Sequence, residues 1–349
     1  MKLRRILLSG LALAGAAPAL ADPVEDFYKG KQLQFIIRTP VGGDYDSYSR
    51  LVARHMGKHI PGKPTILAVN MPGGGGIVSA NHVGLVAPKD GTVLTMVSQG
   101  LPVDQALGLN PSLRTDMKLF NWIGNVVNAN QLLVTWHTSK TKTLEDAKQR
   151  VTQIGSTGAG SASVQLPAFY NNILGTKFKI VVGYPGGQDI DLAMEREEVE
   201  GRGTNTYTGY QTSKPQYLAQ KLIIPLIQVG AAKEPDLPDV PLLLDIPVKA
   251  EDKPLLAYMS KAITVGRPIG TSPGVPPERV AALRRAFDLT LRDPEFLAEA
   301  KTQNAEVRPM TGEELASVIR DLIDAPQGVR DRVKIALEPK AADLGTTPK

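Results

Sequence analysis

Cysteine is absent from the 349 residues. That excludes disulfides, thiolate metal sites, a cysteine nucleophile and a lipid-anchor cysteine, and it leaves burial as the source of stability. Aromatic residues make up 5% of the chain, with no basic block interleaved among them. Neither the stacking platform nor the electrostatic footprint of a nucleic-acid binder is therefore present. No apolar run after the first residues reaches the ~18 needed to span a bilayer. Also missing are a Gly-x-Ser-x-Gly elbow, a Lys-Ser/Thr pair after any glycine loop, and a His-Glu-x-x-His pattern, which argues against a hydrolase, a nucleotide site and a catalytic zinc. With four histidines in total, no cofactor, no metal and no enzymatic activity are expected. His55 and His59 share a helix face, but no third ligand accompanies them.

The chain does carry a strong N-terminal signal. Lys2, Arg4 and Arg5 precede an apolar stretch from Ile6 to Ala16 and the small-residue site Ala19-Leu20-Ala21. This predicts a secretory signal cleaved after Ala21 and a periplasmic product. The Arg4-Arg5 pair leaves twin-arginine export open, although its flanks fit the general secretory route better. Without those three cations the formal net charge falls from +5 to +2, so the mature surface is nearly balanced. The remaining length suits two domains.

Strands alternate with helices through most of the mature chain. Apolar runs at 33–38, 65–70 and 93–97, separated by a helix at 45–59 and another at 77–86, read as β-α-β-α-β with a parallel sheet. Residues 100–120 read as irregular. A second unit follows, with strands at 131–135, 151–155, 178–182, 201–204 and 223–229. Its first helix opens on the Thr143…Asp146 capping pattern. Pro235, Pro238, Pro241, Pro247 and Pro254 mark an extended path leading to a strand near 262–265. Helices at 278–292, 294–302 and 312–323 then return to the first unit.

The stretch Pro40-Val41-Gly42-Gly43-Asp44-Tyr45-Asp46 joins the first strand to the first long helix. A second stretch, Ser156-Thr157-Gly158-Ala159-Gly160-Ser161-Ala162-Ser163, makes the same strand-to-helix transition in the second unit. Each offers unpaired N–H groups at a helix start, where the dipole favours an anion. Ligands of α/β sheets bind outside the carboxyl ends of the strands. Ser98 and Gln99, and the turn from Tyr184 through Gly186 and Gly187, are accordingly expected in the same cleft. The plainer readings are a tight turn for Gly42-Gly43, with Asp44 or Asp46 as helix cap, and close packing for Gly73 to Gly76.

The ordered motifs Phe27-Tyr28-Lys29-Gly30-Lys31, Pro40 to Asp46, Asn70-Met71-Pro72-Gly73-Gly74-Gly75-Gly76, Ala87-Pro88-Lys89-Asp90-Gly91, Leu237-Pro238-Asp239-Val240-Pro241 and Pro276-Pro277-Glu278-Arg279-Val280 span the mature chain. In this respect the sequence resembles the extracytoplasmic solute receptors of the tripartite tricarboxylate transporter family, the Bug receptors. The resemblance implies a two-lobed α/β fold of the type II periplasmic-binding-protein kind, with lobe 1 at 22–126 and 264–349 and lobe 2 at 127–263. It implies a small organic acid, a di- or tricarboxylate or an aromatic carboxylate, held between the two loops without need of an arginine. The partner it implies is a tripartite tricarboxylate-type permease, with a sensor kinase as the alternative, and the receptor is expected to be a monomer. Two departures stand out. Asp44-Tyr45 replaces the commoner Ser-Thr pair, and Arg202-Gly203-Thr204-Asn205 replaces a pattern with an acidic strand end. Asn205 is expected to meet the far end of the ligand.

Overall fold

The computed structural model describes residues 22–42, 44–128, 130–157 and 161–346. The expected export signal at 1–21 and the expected site residues Gly43, Gly158 and Gly160 lie outside the described residues. The first unit comprises α1 (Pro23–Tyr28), β1 (Gln32–Ile37), α2 (Asp44–Met56), β2 (Thr65–Asn70), α3 (Ile77–Asn81), β3 (Val93–Met96), α4 (Leu101–Leu107) and β4 (Asn121–Asn125). The second runs through β5 (Gln131–Trp136), α5 (Leu144–Gln149), β6 (Thr152–Ser156), α6 (Ala162–Phe169), β7 (Phe178–Val182), α7 (Gly187–Glu195), β8 (Gly201–Thr206), α8 (Tyr207–Ser213), α9 (Pro215–Ala219) and β9 (Ile223–Val229). The chain then passes through α10 (Lys253–Ile263), β10 (Pro268–Thr271), α11 (Pro277–Thr290), α12 (Pro294–Thr302), β11 (Met310–Thr311), α13 (Gly312–Ile323), α14 (Gln327–Leu337) and β12 (Leu344–Thr346).

These strands form two six-stranded sheets, ordered β11-β4-β10-β3-β1-β2 and β12-β7-β6-β8-β5-β9. The first three strands pair in parallel as the alternation predicts. Both sheets are nevertheless mixed, because β10 inserts antiparallel between β3 and β4 and β5 runs antiparallel to both β8 and β9. Every residue of β3 and of β5 is buried, as expected of strands covered on both faces. β12 pairs with β7 on the second sheet, so residues 264–346 are shared between the sheets rather than confined to the first.

On one face of the first sheet, Phe35, Ile37, Leu94 and Ile123 pack against Leu51 and Val52 of α2 and Leu283 and Phe287 of α11. Gly124 is required there. A Cβ on it would lie 2.1 Å from the Phe287 ring, so only glycine lets helix and strand close up. A further apolar layer includes residues of both sheets, Trp122, Leu133 and Ile154, with Leu256, Ile319 and Val333 from α10, α13 and α14. It joins the two lobes along one side.

Three local expectations need correcting, and proline explains two of them. Pro102 and Pro254 each sit in the first turn of a helix, α4 and α10, where a missing N–H costs nothing. The expected irregular stretch therefore contains α4, closed by Gly108 at φ 60°. The strand expected near 262–265 is instead the end of α10, whose buried Leu255, Leu256, Met259 and Ala262 recur with helical period; the strand itself lies at β10. The third correction is α14, whose start on Gln327 carries no side-chain cap to announce it. The capping boxes of α5 (Thr143 with Asp146) and α13 (Thr311 with Glu314) form as their sequences dictate.

Candidate functional site

The carboxyl end of β1 leads into α2 through a loop tied down from within. Asp46, 3% exposed, accepts from the Gly42 N–H at 3.0 Å, from Arg50 Nε at 3.0 Å and from Asn70 Nδ2 at 2.8 Å. Asn70 in turn donates to the Thr39 carbonyl and accepts from Arg50. Burial alone would raise the Asp46 carboxyl, but the donors from Arg50, Asn70 and Gly42 outweigh it and hold the group below its ordinary range. Asp46 therefore fastens the loop to α2 and β2.

Asp44 does a different task. Its carboxylate pairs with the guanidinium of Arg267, a residue more than two hundred positions away in the segment that crosses from α10 to β10. Arg267 also donates to Gln99 Oε1 at 3.3 Å and to the Gly266 carbonyl at 3.4 Å, and its guanidinium lies 4.4 Å from the centre of the Tyr45 ring. Arg38 stacks on the same ring at 3.9 Å, and the Tyr45 hydroxyl accepts the Gln99 N–H. Gly266 makes this delivery possible. It has a φ of +56°, and a Cβ there would lie 1.9 Å from the Val127 carbonyl on the other crossing segment.

The second lobe meets this wall with hydroxyls and amides. Together the two sides enclose a cleft of about 860 Å³. Gly42, Asp44, Ser47, Tyr48 and Gln99 line it from the first lobe, and Gly266 and Arg267 from the crossing segment. Thr204, Asn205 and Thr206 at the end of β8, with Thr208, Thr212 and Ser213 of α8, line it from the second.

Of the residues expected in the site, Gly42, Asp44, Gln99 and Asn205 line the cleft; the other described ones are placed differently. Val41 is exposed on the loop, Tyr45 and Asp46 stand behind the wall, and Ser98 lies beside Gly76. The hydroxyls of the 156–163 stretch bond to one another. Ser156 donates to the Ser163 carbonyl at 2.7 Å, and Ser163 Oγ takes the Thr157 N–H at 3.0 Å and meets Ser161 Oγ at 2.7 Å. Tyr184 is buried in the second-lobe core. Gly186 and Gly187 open α7, with Gly187 pressed against Arg202, whose charge is met by Asp191 at 2.8 and 3.0 Å. Neither Arg267 nor, apart from Asn205, the Thr204–Ser213 wall was among the expected residues. The hydroxyl-rich run Thr204-Asn205-Thr206-Tyr207-Thr208 at a strand end was the legible signal for the second. His55 and His59 are occupied separately, by Glu299 and Asp293, at 2.7 Å each.

The same two-lobed arrangement is found in solved structures. A TctC solute-binding protein from Polaromonas superposes with a TM-score of 0.68 at 20% identity, covering 89% of this chain and 99% of that one. The periplasmic binding protein BugD gives 0.62 at 19% identity, with 90% and 100% covered. MatC from Rhodopseudomonas palustris, with bound malate, gives 0.61 at 19%, with 87% and 99% covered.

The fold is that of the TctC and Bug solute-binding proteins.

Sequence similarity points the same way over shorter spans. BugT of Bordetella pertussis is 31% identical over 108 residues, 31% of this chain and 32% of BugT. A UPF0065 protein from the TAR-I ttuE-ttuC' intergenic region of Agrobacterium vitis is 28% identical over 218 residues, 58% of each. The matches span 32% and 58% of the length of these curated relatives. No protein-family model matches the chain.

Proposed function

We infer that this chain is a periplasmic solute-binding protein that captures a small organic acid between its lobes and hands it to a tripartite tricarboxylate-type permease. The lobe boundaries we propose lie near Val126 and Thr264, with the chain returning to the second sheet at β12. The observation that carries the reading is the position of Arg267, a largely buried guanidinium at the cleft wall, on a fold whose solved members include one with bound malate and one with adipate. A cation already desolvated by its surroundings binds a carboxylate more strongly than one in water. The neutral second lobe then closes over the ligand, and differential affinity for the closed state drives that closure. The binding residues proposed are Gly42, Asp44, Gln99, Asn205 and Arg267, with Ser156, Thr157, Ser161 and Ser163 shaping the second lobe behind them. The role is capture rather than turnover.

Mass spectrometry of compounds that co-purify, followed by calorimetry against a panel of organic acids, amino acids and neutral solutes, tests the reading. A carboxylate is expected to bind. Binding confined to neutral solutes would sink it.

A further inference from the structure

We propose that Arg267 is the carboxylate anchor of the cleft, that Asp44 is its internal stand-in, and that the ligand is a monocarboxylic acid bearing several hydroxyl groups. The inference rests on the organic-acid reading above and narrows it. Its first support is the asymmetry of the ion pair. The Arg267 side chain is 11% exposed and fixed by Tyr45, Gln99 and the Gly266 carbonyl, whereas the Asp44 side chain is 60% exposed on the first residue of α2. A buried guanidinium stripped of its counter-charge is heavily penalised, so an anion must always face it. The exposed member of the pair is the one that can leave. An incoming carboxylate takes the face of Arg267 that Asp44 covers, and Asp44 turns into the cleft, where it accepts from a ligand hydroxyl.

The second support is what the opposite wall has left to offer. Among the described residues lining the cleft, Asp44 and Arg267 are the charged ones, so the cleft supplies one cation for one carboxylate. Across from them, three hydroxyls have already spent their protons. Thr204 donates to Gln131 Oε1, while Thr212 and Ser213 both donate to the Gly209 carbonyl, at 3.2 and 2.6 Å. What they present to the cleft is lone pairs. A second carboxylate, which only accepts, would be repelled there; a ligand hydroxyl donates to them. Asn205, whose Oδ1 already takes the Thr206 N–H at 3.0 Å and whose amide also neighbours the Tyr210 hydroxyl, keeps an amide proton for a ligand oxygen. Among the described residues lining the cleft, Tyr48 on the first-lobe side is the one aromatic side chain, so an aromatic acid has a single ring to stack on and none across from it.

The test is calorimetry on the ligand-stripped full chain. The probes are a set of aldonic and uronic acids from glycerate to gluconate and galacturonate, against adipate, benzoate, L-alanine and glucose. At least one hydroxylated monoacid is expected to bind ten-fold or more tighter than every other probe. Arg267→Met should weaken it about 100-fold, and Arg267→Lys, which keeps the charge but loses the fork, about ten-fold. Asp44→Asn, at an exposed side chain, should tighten it a few-fold by removing the competing anion. Tightest binding by adipate, benzoate or alanine, acid binding unchanged in both Arg267 variants, or weaker binding in Asp44→Asn would each overturn the inference while leaving the organic-acid reading standing. Binding of glucose alone would instead bring down that reading. Urea midpoints of the variants separate lost binding from lost folding, and Asp44→Asn decides the stand-in role if both arginine variants unfold.

Discussion

The two walls of the cleft are built on opposite principles. The first-lobe wall is charged and held together largely over long sequence distances, with Asp44 on Arg267 and Asp46 on Asn70 as well as on Arg50 one helical turn away. The second-lobe wall is neutral, and most of its polar groups are satisfied within a few residues, as in Thr212 and Ser213 with the Gly209 carbonyl and Thr206 with the Gly209 N–H. A charge taken out of water must be answered wherever the chain can supply its partner, whereas a hydroxyl finds a carbonyl or another hydroxyl in its own turn. Charge on one side fixes where an acid sits, and neutral groups on the other can sort ligands by shape and hydrogen-bonding pattern.

The strongest way to break this contrast is at the delivery of Arg267. Gly266→Val forces a β-branched residue into a left-handed conformation with no room for its Cβ. It is expected to cost more than about 3 kcal/mol in urea unfolding and to abolish acid binding. A loss under about 1 kcal/mol would mean the crossing segments move apart easily.

Asp46→Ala should come next, at about 3 kcal/mol, because it orphans the Gly42 N–H, the Asn70 amide and a partly buried guanidinium together. The same residue predicts the sign of a pH effect. Its folded-state value is depressed, so its contribution to stability is complete above the unfolded value near ~4 and is lost as pH falls through the folded one. Urea midpoints between pH 6 and pH 2 should therefore fall less steeply in Asp46→Asn than in the parent chain; parallel curves would remove Asp46 from the account.

The smallest effect belongs to the second lobe behind the neutral wall. Ser163→Ala removes the shared hydrogen-bond partner of Thr157 and Ser161 and should cost about 1 kcal/mol. It should leave the salt dependence of acid binding unchanged. A shift in that dependence would show that the two walls are not separable.

Much of the architecture was legible in the residues. β1, β2, β3 and β9 follow from short β-branched runs, and α5 and α13 from their capping boxes. Proline misled at Pro102 and Pro254, which fall in helix first turns, and not at Pro235, Pro238, Pro241 and Pro247, because its effect depends on whether it falls in a first turn or later. The Pro40–Asp46 loop was recognisable as a helix entrance beside a cleft, and Gly42 and Asp44 line that cleft. The serines of 156–163 looked like ligand donors, but local closure takes most of their hydrogen bonds inward.

Periodicity, turn chemistry and caps act over a handful of residues, so the amino-acid order alone determined most of the helices and strands and the glycine-rich entrances at strand ends. The antiparallel insertion of β10 and the partner of Asp44 lay beyond it. Both depend on the crossing segment 264–268 meeting a loop and a strand far away in the chain, and no local pattern encodes which distant cation arrives at a given carboxylate. Folding brought Arg267 to Asp44, and that single contact turned a residue that looked hostile to an acid into half of the pair that can hold one.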